Sequence, residues 1–275
     1  MQPRRYFKKH WGPLLSLPIT RIERRIVAER LRELIGEHGP SSAGRARTNL
    51  SALFRWAMGE GLCDANPVIG TNDPEAGITP RQCVLEDEAI KAIWDACLDD
   101  DFGKIVKLLL LTGCRRDEIG ALRWDEVNLK TGMLIIHEGR VKNRHALRLP
   151  LPTPALDILR AIPRRDGPCV FGNPAHGFTG WSKTKRKLDA RLTDASLPDW
   201  RLHDLRRTMR SRLGRLGIPP HIAELAINHV KKGVLKDYDH YSYEAEIGSA
   251  LAQWAEHVMA VVEGRKSKIV PLRMA

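Results

Sequence analysis

Long apolar runs are missing from this sequence. None approaches the ~18 residues that a bilayer span requires, and the N-terminal stretch MQPRRYFKKH carries charge but no hydrophobic segment of the kind a signal peptide needs. Both absences lead to the expectation of a cytoplasmic protein with no membrane partner. Cysteine is scarce: Cys63, Cys83, Cys97, Cys114 and Cys169 are odd in number, widely scattered and without a Cys-x-x-Cys pair. That argues against a disulfide framework and against a structural zinc site. There is no P-loop, no cluster of Asp, Glu and His at metal-ligand spacing, no internal repeat and no low-complexity segment. Tyrosine is rare too, with four in the chain, three of them (Tyr238, Tyr241 and Tyr243) within six residues.

What is present has the composition of a soluble globular protein. The 275 residues are 43% hydrophobic and 28% charged, a length that suits one large or two modest domains, each able to bury a core. Lys and Arg number 45 against 33 Asp and Glu, a net charge of +12. Such an excess points to a polyanion partner, the plainer reading being a device for solubility. Its distribution says more than its total. The segment 201–217 holds six arginines and one acid, and 181–191 holds five basic residues and one acid, while 86–101 holds seven acids and one lysine. Segregation of this kind suits a protein that grips phosphate on one face and repels it on another; an ordinary solvated helix face is the alternative for either basic segment alone.

Periodicity divides the chain. RIERRIVAERLRELIGEHG, with Ile22, Ile26, Leu31, Leu34 and Ile35 near helical spacing, predicts a helix ended by Gly36 and Gly39-Pro40. ARTNLSALFRWAMGEGL predicts a second, with Leu50, Leu53, Phe54 and Ala57 on one stripe and a stop at Gly59 and Gly61. Residues 71–82, TNDPEAGITPRQ, read as a linker between a helical domain at 1–70 and a second domain at 83–275. There an acidic helix precedes the apolar KIVKLLLLTG, closed by Gly113. MLIIHE and HALRLPL alternate as strands joined by the basic turn GRVKNR, which predicts a β-hairpin. Helices resume near Pro154 and end with an amphipathic helix at 244–263, whose apolar stripe has two possible docks, its own domain or a neighbouring protomer. The fold class is therefore mainly α with a small β-hairpin or sheet, α+β overall.

Four local patterns occur in order: TGCRRDEIGALRW at 112–124, VKNRHALRLPL at 141–151, LHDLRRT at 202–208 and NHVKKGVLKDYDHYSY at 228–243. Each alone is ordinary, a helix cap or a solvated turn. Together they resemble the tyrosine recombinase, or phage integrase, family, whose catalytic domain carries an Arg in a TGxR motif, a Lys in a β-hairpin, His-x-x-Arg, a second His, and a Tyr nine residues after it. The resemblance covers about Cys83 to Gly264 and, more loosely, the helices before it, which it implies to be a partial helical core DNA-binding (SAM-like) domain followed by an integrase-type catalytic domain.

Position by position the resemblance implies Arg115 as the first arginine, with Arg116 as its rival and Glu118 steadying it, Lys142 as the hairpin lysine, His203 and Arg206 as the His-x-x-Arg pair, His229 as the second histidine and Tyr238 as nucleophile. For Tyr241 and Tyr243 the plainer role is packing. The chemistry suits these types. A phosphodiester attacked by a phenol builds charge on its non-bridging oxygens, which guanidiniums bind bidentately. A phenol of ordinary pKa near ~10 needs a proton acceptor, for which His203 is the candidate, and the leaving 5′-hydroxyl needs a donor, for which Lys142 is. His229 would bind phosphate or orient the site. A phosphotyrosyl link conserves bond energy, so no cofactor, ATP or metal is expected.

Most of the remaining positive charge is expected to grip DNA backbone: Arg140 and Arg144 beside the hairpin lysine, Lys183, Lys185, Arg186 and Lys187, and Arg207 and Arg210. The implied partners are double-stranded attachment or recombination sites of a mobile element, with a homotetramer on DNA, a monomer when free, and DNA-bending accessory proteins. Two departures stand out. Asn228 replaces the family's usual glycine before the second histidine, a residue that tolerates positive φ. Only about 70 residues precede the linker, with no arm-binding module, which suggests a short relative or a truncated form. The alternatives are a catalytically impaired DNA-binding relative with an architectural or regulatory role, and type IB topoisomerase-like relaxation. The tryptophans, Trp11, Trp56 and Trp124 among them, are expected to fill cores.

Overall fold

The computed structural model describes residues 3–79, 81–141, 145–192, 197–229 and 241–266. They form two compact units, Met1–Arg81 and Gln82–Ala275. No helix among the described residues is long and apolar enough to cross a membrane.

The first unit holds α1 (Pro3–Trp11), α2 (Arg24–His38) and α3 (Pro40–Gly59). Trp11, Val27, Leu31, Leu34, Leu50 and Phe54 make its core. α2 does not end at Gly36 but runs on to His38 and stops at Gly39, whose φ of +78° turns the chain; an interior glycine costs a helix only about 1 kcal/mol. α3 begins earlier than the periodicity shows because Pro40 occupies its first position, where a missing N–H costs nothing. Leu50, Phe54 and Ala57 face inward, but Leu53 lies at the margin of that stripe and Trp56 beyond it, so both are exposed and Trp56 fills no core. Trp11 and Trp124 are buried. Buried Arg30 joins α1 to α2, donating Nε to the His10 carbonyl at 2.9 Å and Nη1 to Glu33 and Glu37 at 2.7 and 2.8 Å. Thr71, at the start of the expected linker, is buried in this unit, where Arg47 donates to its Oγ1 at 2.9 Å.

The second unit is mainly helical around one small sheet. Its elements are α4 (Asp87–Ala96), α5 (Asp101–Thr112), α6 (Arg116–Gly120), β1 (Val127–Asn128), β2 (Met133–Ile136), β3 (Leu147–Pro150), α7 (Thr153–Arg160), α8 (Trp181–Asp189), α9 (Leu202–Arg215), α10 (Pro220–Ala226) and α11 (Glu244–Glu263). α5 is the central rod. Asp100 caps it by accepting from the Gly103 N–H at 2.7 Å, and Ile105, Leu108, Leu109, Leu110 and Leu111 are buried around its circumference. The expected hairpin is β2 against β3, with Leu134 opposite Leu149 and Ile136 opposite Leu147. β1 adds a third antiparallel strand, two residues long and too short to leave a period in the sequence. α11 docks on its own unit: Ile247, Leu251, Trp254 and Val258 are buried, and Trp254 Nε1 donates to the Leu110 carbonyl on α5 at 2.7 Å.

Candidate active site

The site begins where α5 ends. Gly113 adopts φ +62°, the left-handed C-cap conformation that glycine reaches without a steric penalty, and a Cβ there would meet Met209 Sδ at 2.5 Å. Two residues later Arg115 is the N-cap of α6. Glu118, three positions on and buried, turns its carboxylate back on the helix start: Oε2 accepts from the Arg115 backbone N–H and Oε1 from its guanidinium, both at 2.7 Å. This is half of a capping box, since an arginine side chain has no acceptor to return. It fixes Arg115 through one of the guanidinium's five donors; among the described residues no other side-chain hydrogen bond from it is present. Arg116, the sequence rival, points elsewhere: it pairs with Asp117 at 2.9 Å and lies over the Trp181 ring at 5.1 Å. Burial pushes the thiol of Cys114, the residue before Arg115, up to about 12, so it stays protonated and is no rival nucleophile.

α9 brings the second pair. Its periodicity puts His203, Arg206, Arg207 and Arg210 on one side, with Leu205, Met209 and Leu213 buried on the other. Arg206 is itself buried. Its Nη1 donates to the Gly113 carbonyl at 2.7 Å and its Nη2 to the carbonyl of Ile227, so one guanidinium joins the turns that precede Arg115 and His229. Desolvation and the neighbouring charge of Arg115 hold it below its ordinary value, yet an arginine keeps its charge in a protein. Arg206 feels the charges of both Arg115 and Glu118, and such a pair of guanidiniums can hold an anion. His203 lines a cleft with Arg115. Desolvation by the protein around it and the guanidiniums of Arg206 and Arg207 lower its pKa, against the opposing pull of Asp204, so the ring is neutral near pH 7 with a nitrogen available to accept a proton.

His229 follows a turn that Asn228 makes at φ +51°, the positive value that its identity permits. The His229 N–H donates to the Glu224 carbonyl at 2.9 Å, and its Nδ1 lies 2.5 Å from Glu224 Oε2. Lys142, Arg144 and Tyr238 fall outside the described residues. Of the other tyrosines, Tyr243 packs at the core margin, edge-on to Tyr241 with ring centroids 4.7 Å apart. The exposed Tyr241 bonds to Glu246, which raises its phenol pKa.

A cleft of about 600 Å³ opens beside these groups, walled by Arg115, Arg116, Trp181, Lys185, Trp200 and His203. The two indoles escaped the sequence reading. Trp200 lies under Lys185 Nζ at 3.8 Å and Trp181 under Arg116, so cations cover their faces. The expected backbone grips divide into two kinds. Lys183, Arg186 and Lys187 are exposed on α8, whereas Lys185 is paired with Asp189 at 2.5 Å. Arg207 pairs with buried Asp204 at 2.8 Å, and Arg210 with Glu224 at 2.6 Å. Arg140 is the most committed: it straddles buried Glu126 at 2.7 and 2.8 Å and donates to the Ala121 carbonyl at 2.6 Å. A buried carboxylate needs such a partner, so Arg140 braces the β1 end of the sheet. Among the described residues no three His, Cys, Asp or Glu side chains are grouped to hold a metal ion.

Comparison with known proteins shows the family. Residues 84–245 match the phage integrase family and residues 2–72 the phage integrase central domain. The integrase of Salmonella phage P22 is 28% identical over 195 residues, covering 66% of this chain and 49% of that protein. A shufflon-specific DNA recombinase of Escherichia coli is 30% identical over 196 residues, covering 70% and 48% respectively. The chain thus spans about half the length of these two relatives. In fold it resembles a lambda integrase tetramer bound to a Holliday junction, with a TM-score of 0.63 at 20% identity over 87% of this chain and 71% of that one. A match spanning the helices and turns that carry Arg115, His203, Arg206 and His229 places the chain in the phage integrase family.

Proposed function

We propose that this protein is a site-specific DNA recombinase that cleaves and rejoins strands through a covalent 3′-phosphotyrosyl intermediate, integrating or excising a mobile element. The observation that carries this reading is the bond from buried Arg206 to the carbonyl of Gly113, two residues before Arg115, whose own guanidinium Glu118 holds, so that one turn connects both guanidiniums. The Tyr238 hydroxyl oxygen attacks the scissile phosphorus while His203 takes its proton. Charge gathers on the non-bridging oxygens, where Arg115 and Arg206 bind it, each such donor typically being worth on the order of 10²–10³ in rate. The bond to the 5′-oxygen breaks, and Lys142 supplies that oxygen with a proton. Attack by a 5′-hydroxyl from either strand reverses the sequence and frees Tyr238, so no external energy source enters. The substrate is double-stranded DNA at an attachment site. Residues 1–70 and the exposed lysines of α8 grip its backbone, residues 71–82 link that domain to the catalytic one, and four copies assemble on DNA as lambda integrase does on a Holliday junction.

The test uses a library of nicked duplexes of random sequence, from which adducts that survive detergent are recovered and sequenced. Wild type is expected to select one family of sites, and Tyr238→Phe none. Adducts that persist in Tyr238→Phe and vanish in Tyr241→Phe reassign the nucleophile. DNA binding with no adduct on any duplex overturns the enzymatic reading.

A further inference from the structure

We propose that Glu224 is a positioning residue for His229: its carboxylate holds ring Nδ1, Arg210 holds the carboxylate, and Nε2 is thereby the ring nitrogen presented to the scissile phosphate. The proposal rests on the recombinase reading and names a part of that site for which the four sequence motifs hold no counterpart.

The contact is built twice. α10 ends at Ala226, and the left-handed Asn228 returns the chain so that Asn228 N donates to the Leu225 carbonyl at 2.8 Å and His229 N to the Glu224 carbonyl at 2.9 Å. The backbone alone therefore brings His229 against the residue five positions earlier. The side chains then meet, His229 Nδ1 on Glu224 Oε2 at 2.5 Å, while Glu224 Oε1 accepts from Arg210 Nε at 2.6 Å. Burial opposes ionisation of Glu224, but its bonds to Arg210 and His229 prevail and hold its pKa below the ordinary carboxylate value. An ionised carboxylate is an acceptor only, so the hydrogen between it and His229 belongs on Nδ1. Among the described residues no hydrogen bond to Nε2 is present.

Orientation, more than stability, is what this contact supplies. Both side chains are partly open to solvent, at 50% and 41%, and such exposed pairs add little to folding. A histidine free to rotate, or protonated on the other nitrogen, loses its aim at a phosphate, and a carboxylate on one ring nitrogen removes both freedoms. Arg210 extends from α9, the helix that carries His203 and Arg206. One helix thus sets the aim of both histidines and of the second arginine.

The test has two arms on the full chain. In the first, nitrogen spectra of histidine-labelled protein without DNA read the His229 ring: wild type should show a protonated, hydrogen-bonded Nδ1, which Glu224→Gln retains through its amide oxygen and Glu224→Ala loses. In the second, cleavage is timed on the nicked duplexes recovered by adduct capture. Glu224→Ala should slow it about 10–100-fold, as loss of a residue that orients a ligating histidine does, Glu224→Gln should restore most of the rate, and adding Glu224→Ala to His229→Ala should change nothing further. Unchanged His229 ring signals in Glu224→Ala, or an equal loss of rate with and without His229, overturns the assignment. A wild type with the expected ring signals that forms no adduct fails the recombinase reading instead, and leaves Glu224 as the holder of His229 with no cleavage to serve.

Discussion

Asn228 donates its side-chain amide to the carbonyl of His145 at 3.2 Å, across 83 residues of chain. His145 lies two residues before β3, so this bond fastens the entry of that strand to the turn that carries His229. The residue that departs from the usual glycine thus keeps the left-handed backbone and adds a tether. Asn228→Gly should keep the turn and change stability by less than about 1 kcal/mol, while cleavage falls because the turn that carries His229 is no longer tethered to His145. Asn228→Val should lose roughly 1–2 kcal/mol to the backbone clash. Urea unfolding beside adduct formation separates the two effects.

Arg206→Lys is not a conservative change here. An ammonium is a single point of charge and cannot span the carbonyls of Gly113 and Ile227 as the guanidinium does. Leaving a buried acceptor unpaired costs about 1–3 kcal/mol, and losing the planar phosphate donor should slow cleavage by on the order of 10²–10³. Thermal unfolding and single-turnover adduct formation read these, with binding to duplex largely unchanged.

Gly113→Ala should destabilise the second unit. Its φ of +62° penalises a Cβ, and that Cβ would sit 2.5 Å from Met209 Sδ and 3.2 Å from Ile227 Cγ2. The backbone term alone is about 1–2 kcal/mol, and the displaced Ile227 disturbs the carbonyl that holds Arg206. A fall in both urea midpoint and cleavage rate is expected; an unchanged midpoint contradicts this account of the turn.

The lowered pKa of His203 has a sign that can be checked. Its neutral form is favoured when folded, so the unfolded chain binds the proton first as pH falls. The stability it contributes is complete above the ordinary imidazole value of about 6.5 and is lost as pH drops from there through the folded value. If His203 accepts the nucleophile's proton, the acid limb of the cleavage profile lies below that ordinary value as well. Arg207→Ala removes one of the charges that disfavour the imidazolium and leaves Asp204 to favour it, so the limb should move upward. A limb that stays in place removes His203 from the base role.

The sequence by itself settled the elements with strong periods and the motifs with fixed spacing. α5 with its glycine stop, α11 from Glu244 to Glu263 and the β2–β3 hairpin were legible because a buried face repeats at 3.6 or 2 residues. Arg115, Glu118, His203 and Arg206 were legible because each motif lies within one turn of helix. Tertiary structure decided whatever depends on residues far apart in the chain. Nothing local shows that Arg140 and Arg210, two basic residues among many, are committed to Glu126 and Glu224, or that Trp56 faces outward while Trp11 is buried. Glu224 meets His229 at a separation of five, which belongs to no helix or strand period and exists because Asn228 reverses the chain. A sequence states which groups carry charge; which of those charges remain available to a phosphate depends on the pairs that folding makes first.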